Sequence, residues 1–268
     1  MGGSGKTIWS KQIKPLPQPL EPLFEAAASE GYDMIEWRSP TKMGTTVPET
    51  DLISRPEATA EIRRLSELYG MEMTYHAPQG NLWDFGVLPF ETAVDRLREC
   101  VDRTVSIRAK YMTFHLGIVV GEGREDAIRQ GGDVILTVLP DAEKAGICLC
   151  VENVFDNCSV ATVSDCDILV EQLNTPLVKF TLDTGHGNLC GCLHELVETF
   201  PERLVFAHLH DNNGIKDQHF VPGRGTIDWR RLIGDLDRTG YSGPLNFELR
   251  EEATLCDLQK HWADNRDA

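Results

Sequence analysis

With 268 residues and 41% hydrophobic side chains, the chain is long enough for one large α/β domain or two small ones, and apolar enough for a real core. No run approaches about eighteen uninterrupted apolar residues, which argues against a helical membrane span. The net charge of −16, from 42 acidic and 26 basic residues, disfavours nucleic acid, whose binding draws on Lys and Arg meeting phosphates.

The opening MGGSGKTIWSKQIK lacks the apolar stretch of a signal peptide. Its GSGKT is read as a chance match or an expression remnant, because the first glycine of a phosphate loop is missing and no strand precedes it. Residues 1–5 are expected to be flexible. Short apolar or β-branched runs then alternate with longer amphipathic segments. Strands are expected at Lys6–Ser10, Tyr32–Arg38, Glu72–His76, Tyr111–His115, Ile147–Asn153, Val178–Asp183, Leu204–His208 and Leu245–Leu249. Helices are expected at Pro56–Tyr69, Pro89–Arg108, Asp126–Ala145, Val163–Leu173, Leu193–Phe200 and Trp229–Thr239. The spacing of Val94, Leu97, Val101 and Val105 has helical period, and Gly70, Gly146 and Gly240 follow helix ends. Pro15–Pro22 reads as a loop between the first strand and its helix. Eight strand–helix units in this length predict a single-domain (β/α)8 TIM barrel over residues 1–268; an open doubly wound sheet needs fewer strands. The eight cysteines form no C-x-x-C pair, so reduced thiols and a cytoplasmic location are expected.

The segment Leu204–Trp229 gathers His208, His210, Asp211, Asp217 and His219 between an apolar strand and a glycine turn. Neutral imidazoles beside carboxylates are what a divalent ion needs. In a barrel all strand ends meet at one mouth, and from the third strand onward each ends in such a residue: His76, His115, Glu152, Asp183 with His186, His208 followed by Asp217 and His219, and Glu248. Glu152 and Glu248 end otherwise apolar strands, where an unpaired carboxylate is costly; for Glu248 an ion pair with Arg250 is the structural alternative. In LDTGHGN a glycine-containing turn brings Asp183 and His186 around one centre. Glu36 either faces the site or bonds a backbone amide. Trp9, Trp37 and Trp83 serve as sugar platforms or as core residues. His194 and His261, on predicted helices, are expected to be solvated.

YHAPQGNL, TFHLG, VENV, LDTGHGN, HLHDN…DQHFVPGRGTIDW and NFELR together resemble the xylose isomerase-like barrel superfamily, which holds sugar phosphate isomerases and epimerases and the endonuclease IV-type enzymes. The resemblance implies a core metal quartet of Glu152, Asp183, His208 and Glu248. His208 is preferred to His210 because the usual His-Leu-x-Asp pattern fits His208-Leu209-His210-Asp211, which leaves His210 to touch substrate. Endonuclease IV-type members imply outer ligands at His76, His115, His186, Asp217 and His219, hence one to three divalent ions, with Zn, Mn, Mg, Fe and Co all admissible.

The resemblance implies isomerisation or epimerisation of a sugar, sugar phosphate or related polyol, expected to run through a metal-stabilised enediolate. The resemblance to epimerases gives Glu152 and Glu248 the acid and base roles; candidate substrate contacts are His210, His186 if only the core quartet binds metal, and Arg224 for a phosphate or hydroxyl. Arg224, in a glycine turn, reads equally as an exposed turn residue. The alternatives are a metal-cluster phosphodiesterase or apurinic endonuclease, a dehydratase on the same barrel, and a barrel that only binds a ligand. The expected partner is a small sugar or polyol rather than nucleic acid or a membrane, and self-association into a homo-oligomer stays open.

Overall fold

In the computed structural model, residues 6–13, 19–39, 53, 55–78, 88–117, 123–155, 158 and 160–267 are described. Residues 1–5, much of the Pro15–Pro22 loop, the Gln79–Leu82 end of the third strand motif and Trp83 lie outside them. Eight short strands, the first seven each followed by a crossover, pair in parallel: β1 (Trp9–Ile13), β2 (Met34–Arg38), β3 (Glu72–His76), β4 (Tyr111–Phe114), β5 (Cys148–Glu152), β6 (Lys179–Asp183), β7 (Leu204–Leu209) and β8 (Leu245–Phe247). They close in sequence order, with β8 paired to β1. The chain is a single (β/α)8 barrel.

Between and around the strands run α1 (Glu21–Glu30), α2 (Pro56–Tyr69), α3 (Phe90–Ser106), α4 (Arg124–Ala145), α5 (Val163–Leu173), α6 (Thr184–Cys190), α7 (Leu193–Thr199), α8 (Trp229–Thr239) and α9 (Leu255–Arg266). Successive strand side chains point to opposite faces, and this alternation divides the interior. In β2, Ile35 and Trp37 are buried with the apolar cluster that also takes in Ile62 and Leu65 of α2, while Glu36 hydrogen-bonds across the barrel to His208 of β7. The core therefore lies between sheet and helices. Inside the barrel, polar pairs occur instead, such as Thr113–Thr181 at 2.8 Å and Ser10–Asn246 at 2.8 Å.

Two expectations are corrected. The first strand begins at Trp9, because it pairs from Ser10↔Met34 to Ile13↔Trp37; the polar Lys11-Gln12 disguised it, and Gln12 is satisfied by Glu36 at 2.8 Å. In the glycine-rich LDTGHGN, Leu182 and Asp183 end β6 and the residues from Thr184 form a short helix, not a turn. Asp183 caps α6 by accepting from the His186 backbone N–H at 2.7 Å, which overrides the poor helix propensity of glycine. Among the described residues no helix is long and apolar enough to cross a membrane, and no disulfide joins the cysteines.

The link from β5 to α5 depends on a buried carboxylate. Asp165 accepts from Ala161 N at 3.0 Å, Thr162 N at 2.9 Å and Thr162 Oγ1 at 2.9 Å, and the Thr162 hydroxyl accepts from Asp165 N to complete a capping box. Asp165→Ala strands these donors and is expected to cost about 1–3 kcal/mol, read as a lowered midpoint in thermal or urea unfolding.

Candidate metal centre

The strand ends bring most of the expected ligands to one place. His76 ends β3, Glu152 ends β5, Asp183 ends β6, and His208 is the fifth residue of β7. His115 follows β4 directly, and Glu248 follows β8. All except His115 are buried outright, and the His115 side chain is only 12% exposed. Register aligns them: Asp183 lies opposite His208, and His76 opposite Arg38.

Glu152 lies at the centre. Its Oε2 is 3.1 Å from both His76 Nε2 and His115 Nε2. Its Oε1 has no hydrogen-bond partner and lies 3.4 Å from His208 Nδ1 and 3.3 Å from His186 Nδ1. His208 Nδ1 is also without a hydrogen bond, 3.3 Å from Glu248 Oε2 and 3.8 Å from Asp183 Oδ2. Thus the implied quartet of Glu152, Asp183, His208 and Glu248 meets on one imidazole nitrogen.

Mutual distances divide the ligand atoms into overlapping groups. His76, Glu152, His208 and Glu248 form one; Asp183, His186 and His210 form a second; His210, Asp217 and His219 form a third. Asp183 belongs to two settings, facing His208 while also lying 3.0 Å from His210 Nε2.

The outer set arrives on the loop after β7. Asp211 exchanges backbone hydrogen bonds with Phe220, at 2.9 and 2.8 Å, which folds residues 212–219 back to the mouth. The Asp211 carboxylate is buried and accepts from Asn212 N at 2.8 Å, Gly223 N at 3.0 Å and Trp229 Nε1 at 2.9 Å. Asp211 therefore organises the loop and is spent on it. His219 is held at φ 52°, an uncommon conformation for a residue with a side chain. Its Nδ1 is 2.8 Å from Glu248 O and its Nε2 2.8 Å from Asp217 Oδ2. Asp217 Oδ1 has no hydrogen bond and is 4.0 Å from His186 Nε2. His210 stacks on His219 at 3.9 Å. Only glycine fits beside His210, because a Cβ on Gly185 would come within 2.0 Å of its ring.

Burial and charge act against each other here. Burial pushes the Glu152 carboxyl up, but His115 and His208 outweigh it and hold it well below the usual carboxylate range. Burial likewise acts upward on Glu248, and Arg38, His208 and His219 bring it down. For His186 burial acts downward, while Asp183, Glu152 and Asp217 raise it to about 10. Burial opposes protonation of His208, yet Glu36 and Glu152 lift it well above its ordinary value.

The residues fit a divalent cation. Ligands about 2.1 Å from one ion at tetrahedral angles are roughly 3.4 Å apart, close to the separations around His208 Nδ1. A stranded buried polar atom costs about 1–3 kcal/mol, and Glu152 Oε1, His208 Nδ1, His210 Nδ1 and Asp217 Oδ1 are all stranded in this one region. Carboxylates with imidazole suit zinc, manganese, iron, cobalt or magnesium.

Other expected residues lie elsewhere. Arg224 is exposed, ion-paired with Glu251 and over the Phe220 ring at 5.1 Å. Glu248 pairs with Arg38 at 2.7 Å, whereas Arg250 holds Asp217 at 3.4 Å. Trp37 is core, and Trp9 stacks on Phe247 at 5.9 Å. His194 is not simply solvated: its Nδ1 is 2.6 Å from the buried Asp235 carboxylate. His261 packs edge-on against Trp229 at 5.8 Å. Arg38 escaped the sequence reading although it ends β2 as His76 ends β3; applying the strand-end rule to cations would have found it.

A profile of the family described as "Xylose isomerase-like TIM barrel" matches residues 24–267. The chain belongs to that family. Among relatives, an uncharacterised protein of Methanocaldococcus jannaschii is 23% identical over 93% of this chain and 86% of its own length. A fructoselysine 3-epimerase of Shigella flexneri is 22% identical over 86% of this chain and 85% of its own length. The structure titled D-tagatose 3-epimerase-like protein superposes with a TM-score of 0.81 at 19% identity, covering 96% of this chain and 97% of that one; at that identity the likeness speaks for the barrel alone.

Because His186 and His208 hold extra protons that a ligating nitrogen must lose, metal uptake is expected to release protons near pH 7 and to tighten as pH rises from about 6 to 8. Zinc titration calorimetry in buffers of different ionisation enthalpy checks both signs. Asp211→Ala is expected to weaken binding at the outer group formed with Asp217 and His219 while sparing the tightest site. Its readout is metal stoichiometry per chain against the wild type.

Proposed function

We propose that the protein is a divalent-metal-dependent isomerase or epimerase of a sugar, sugar phosphate or related polyol. The observation that carries this reading is the pair of buried, ionised carboxylates Glu152 and Glu248, which approach His208 Nδ1 from β5 and β8 at 3.4 and 3.3 Å. These strands stand three places apart in the closed wall, so the two carboxylates flank the space between them. The fructoselysine 3-epimerase among the relatives supports the same class.

Glu152, Asp183, His208 and Glu248 would hold a divalent ion, which when bound would supply Lewis-acid polarisation of a carbonyl next to the reacting carbon. One carboxylate, assigned here to Glu152, removes the carbon-bound proton, and the electron pair passes into the adjacent carbonyl. Glu248 takes the proton of the neighbouring hydroxyl and returns a proton to the carbon from the opposite side, and Glu152 gives its own to the oxygen. This inverts the carbon with atoms and charges balanced. Both groups start ionised and are held low, so they are weak bases that act only on a proton placed in contact with them. Arg38 keeps Glu248 ionised and in place. His186 and His210 stand beside Asp183 as substrate contacts. Arg224 can take part only if its turn and side chain swing from Glu251 toward the mouth.

A second reading, metal-cluster hydrolysis of a phosphodiester, is favoured by one observation: His76 and His115 converge on Glu152 Oε2 while His210, Asp217 and His219 form a further group of ligand atoms. The charge of −16 weighs against a nucleic-acid substrate. Dehydration of a polyol shares the proton abstraction and differs in the leaving group.

The test is a panel of ketoses, ketose phosphates and inososes in deuterium oxide, scored for new epimers and for deuterium at carbon. The expected result is turnover of one class, abolished by chelator, with Glu152→Gln and Glu248→Gln each lowering kcat by about 10²–10⁴-fold. No exchange on any substrate, together with cleavage of abasic DNA that Glu152→Gln abolishes, would replace this reading with the hydrolytic one.

A further inference from the structure

Beneath the ligand ring lies a buried polar cluster that the chemistry above does not use. Glu36 sits in the middle of β2, fully buried. Its Oε1 is 3.0 Å from His208 Nε2. Its Oε2 accepts from Gln12 Nε2 and from Asn246 Nδ2, both at 2.8 Å. These donors are themselves held. The Ser10 hydroxyl donates to Asn246 Oδ1 at 2.8 Å, and Arg38 donates to Gln12 Oε1 at 3.2 Å, so both amides present nitrogen to Glu36. Register places them there, Gln12 opposite Glu36 and Asn246 opposite His208.

With both amide donors held on Oε2, Glu36 serves this cluster as an acceptor, so the hydrogen between Glu36 and His208 is assigned to Nε2. In the neutral ring the lone pair is then on Nδ1, the atom without a hydrogen bond that faces Glu152 Oε1 and Glu248 Oε2. The stack of His76 on His208, at 5.5 Å and 15°, sets the plane of the ring. It does not decide which edge of the ring meets the carboxylates, since a half-turn about Cβ–Cγ keeps the same plane and puts Cδ2 where Nδ1 stands. Only the bond to Glu36 decides that.

We infer that Glu36 is a positioning residue that holds His208 with Nε2 protonated and Nδ1 turned to the ion. This rests on the reading of the barrel mouth as a divalent-metal site. Glu36 touches no ligand position itself and acts through His208, as carboxylates behind metal-bound histidines do. The glutamine isostere makes the dependence testable. In Glu36→Gln the amide oxygen must face the fixed donors of Gln12 and Asn246. Its NH2 then faces Nε2, and the imidazole hydrogen is driven to Nδ1, where it competes with the ion.

The experiment measures zinc affinity by chelator competition for wild type, Glu36→Gln, His208→Asn and the double variant, with 15N–1H correlation of the His208 ring in the zinc-loaded wild type. Expected are an affinity loss of about 10–100-fold in Glu36→Gln, no further loss when Glu36→Gln is added to His208→Asn, and a wild-type ring protonated on Nε2 and metal-bound through Nδ1. Three results would overturn the inference: a Glu36→Gln affinity within about twofold of wild type, an equal loss in the His208→Asn background, or a wild-type ring bound through Nε2. The wild-type spectrum decides the matter even if Glu36→Gln does not fold. A wild type that takes up no zinc sinks the metal reading, whereas zinc binding that ignores Glu36 sinks only this assignment.

Discussion

The mutual repulsion of three buried carboxylates is the constraint on which the rest of this structure depends. Glu152, Asp183 and Glu248 share one end of a closed barrel, away from bulk water, where like charges interact strongly. The protein sets positive or hydrogen-bonding groups against them: His76, His115 and His208 around Glu152, His186 and His210 around Asp183, and Arg38 against Glu248. Several acceptor and donor atoms still lack partners after that arrangement. A cation at their meeting point resolves the repulsion and the missing hydrogen bonds at once. The same electrostatic demand explains why polar groups gather at the mouth of the barrel, while the space between strands and helices is apolar.

Supporting parts answer to this centre in layers. Behind His208 stand Glu36, Asn246, Gln12 and Ser10, drawn from β1, β2 and β8 and joined by short hydrogen bonds. Beside it, the loop after β7 is built around Asp211, whose carboxylate ties together the strand end, the glycine turn and Trp229 of α8. Asp211 and Asp217 lie six residues apart in one loop, yet the first is consumed by backbone and indole donors and the second keeps an oxygen turned to His186. Residue type alone does not separate these uses.

Much of the architecture was legible in advance. Parallel strands buried on both faces leave apolar runs of regular spacing, and amphipathic helices with glycine after them mark the crossovers, so α2, α5 and α8 have the bounds read from the sequence. β1 was harder, because Lys11 and Gln12 carry polar groups into a strand and their compensation comes from a distant segment. α6 was hidden for a related reason: its glycines argue against a helix locally, and the cap from Asp183 and the packing against His210 decide otherwise. Arg224 stood out in the sequence and Arg38 did not, and only the fold places Arg38 on Glu248 and Arg224 on Glu251.

What the sequence by itself determined is the barrel and the inventory at its mouth, because strand period, crossover length and a ligand-type residue at each successive strand end are local properties. Only the tertiary structure decided which atoms face one another. That Glu152 divides its two oxygens between different sets of histidines, that His208 meets the carboxylates through Nδ1, and that Glu36 stands behind it all depend on register between strands far apart in the chain. A one-residue change in register reverses the face on which each side chain lies, so the partners of a buried charge are settled by pairing across the barrel and not by neighbours in sequence.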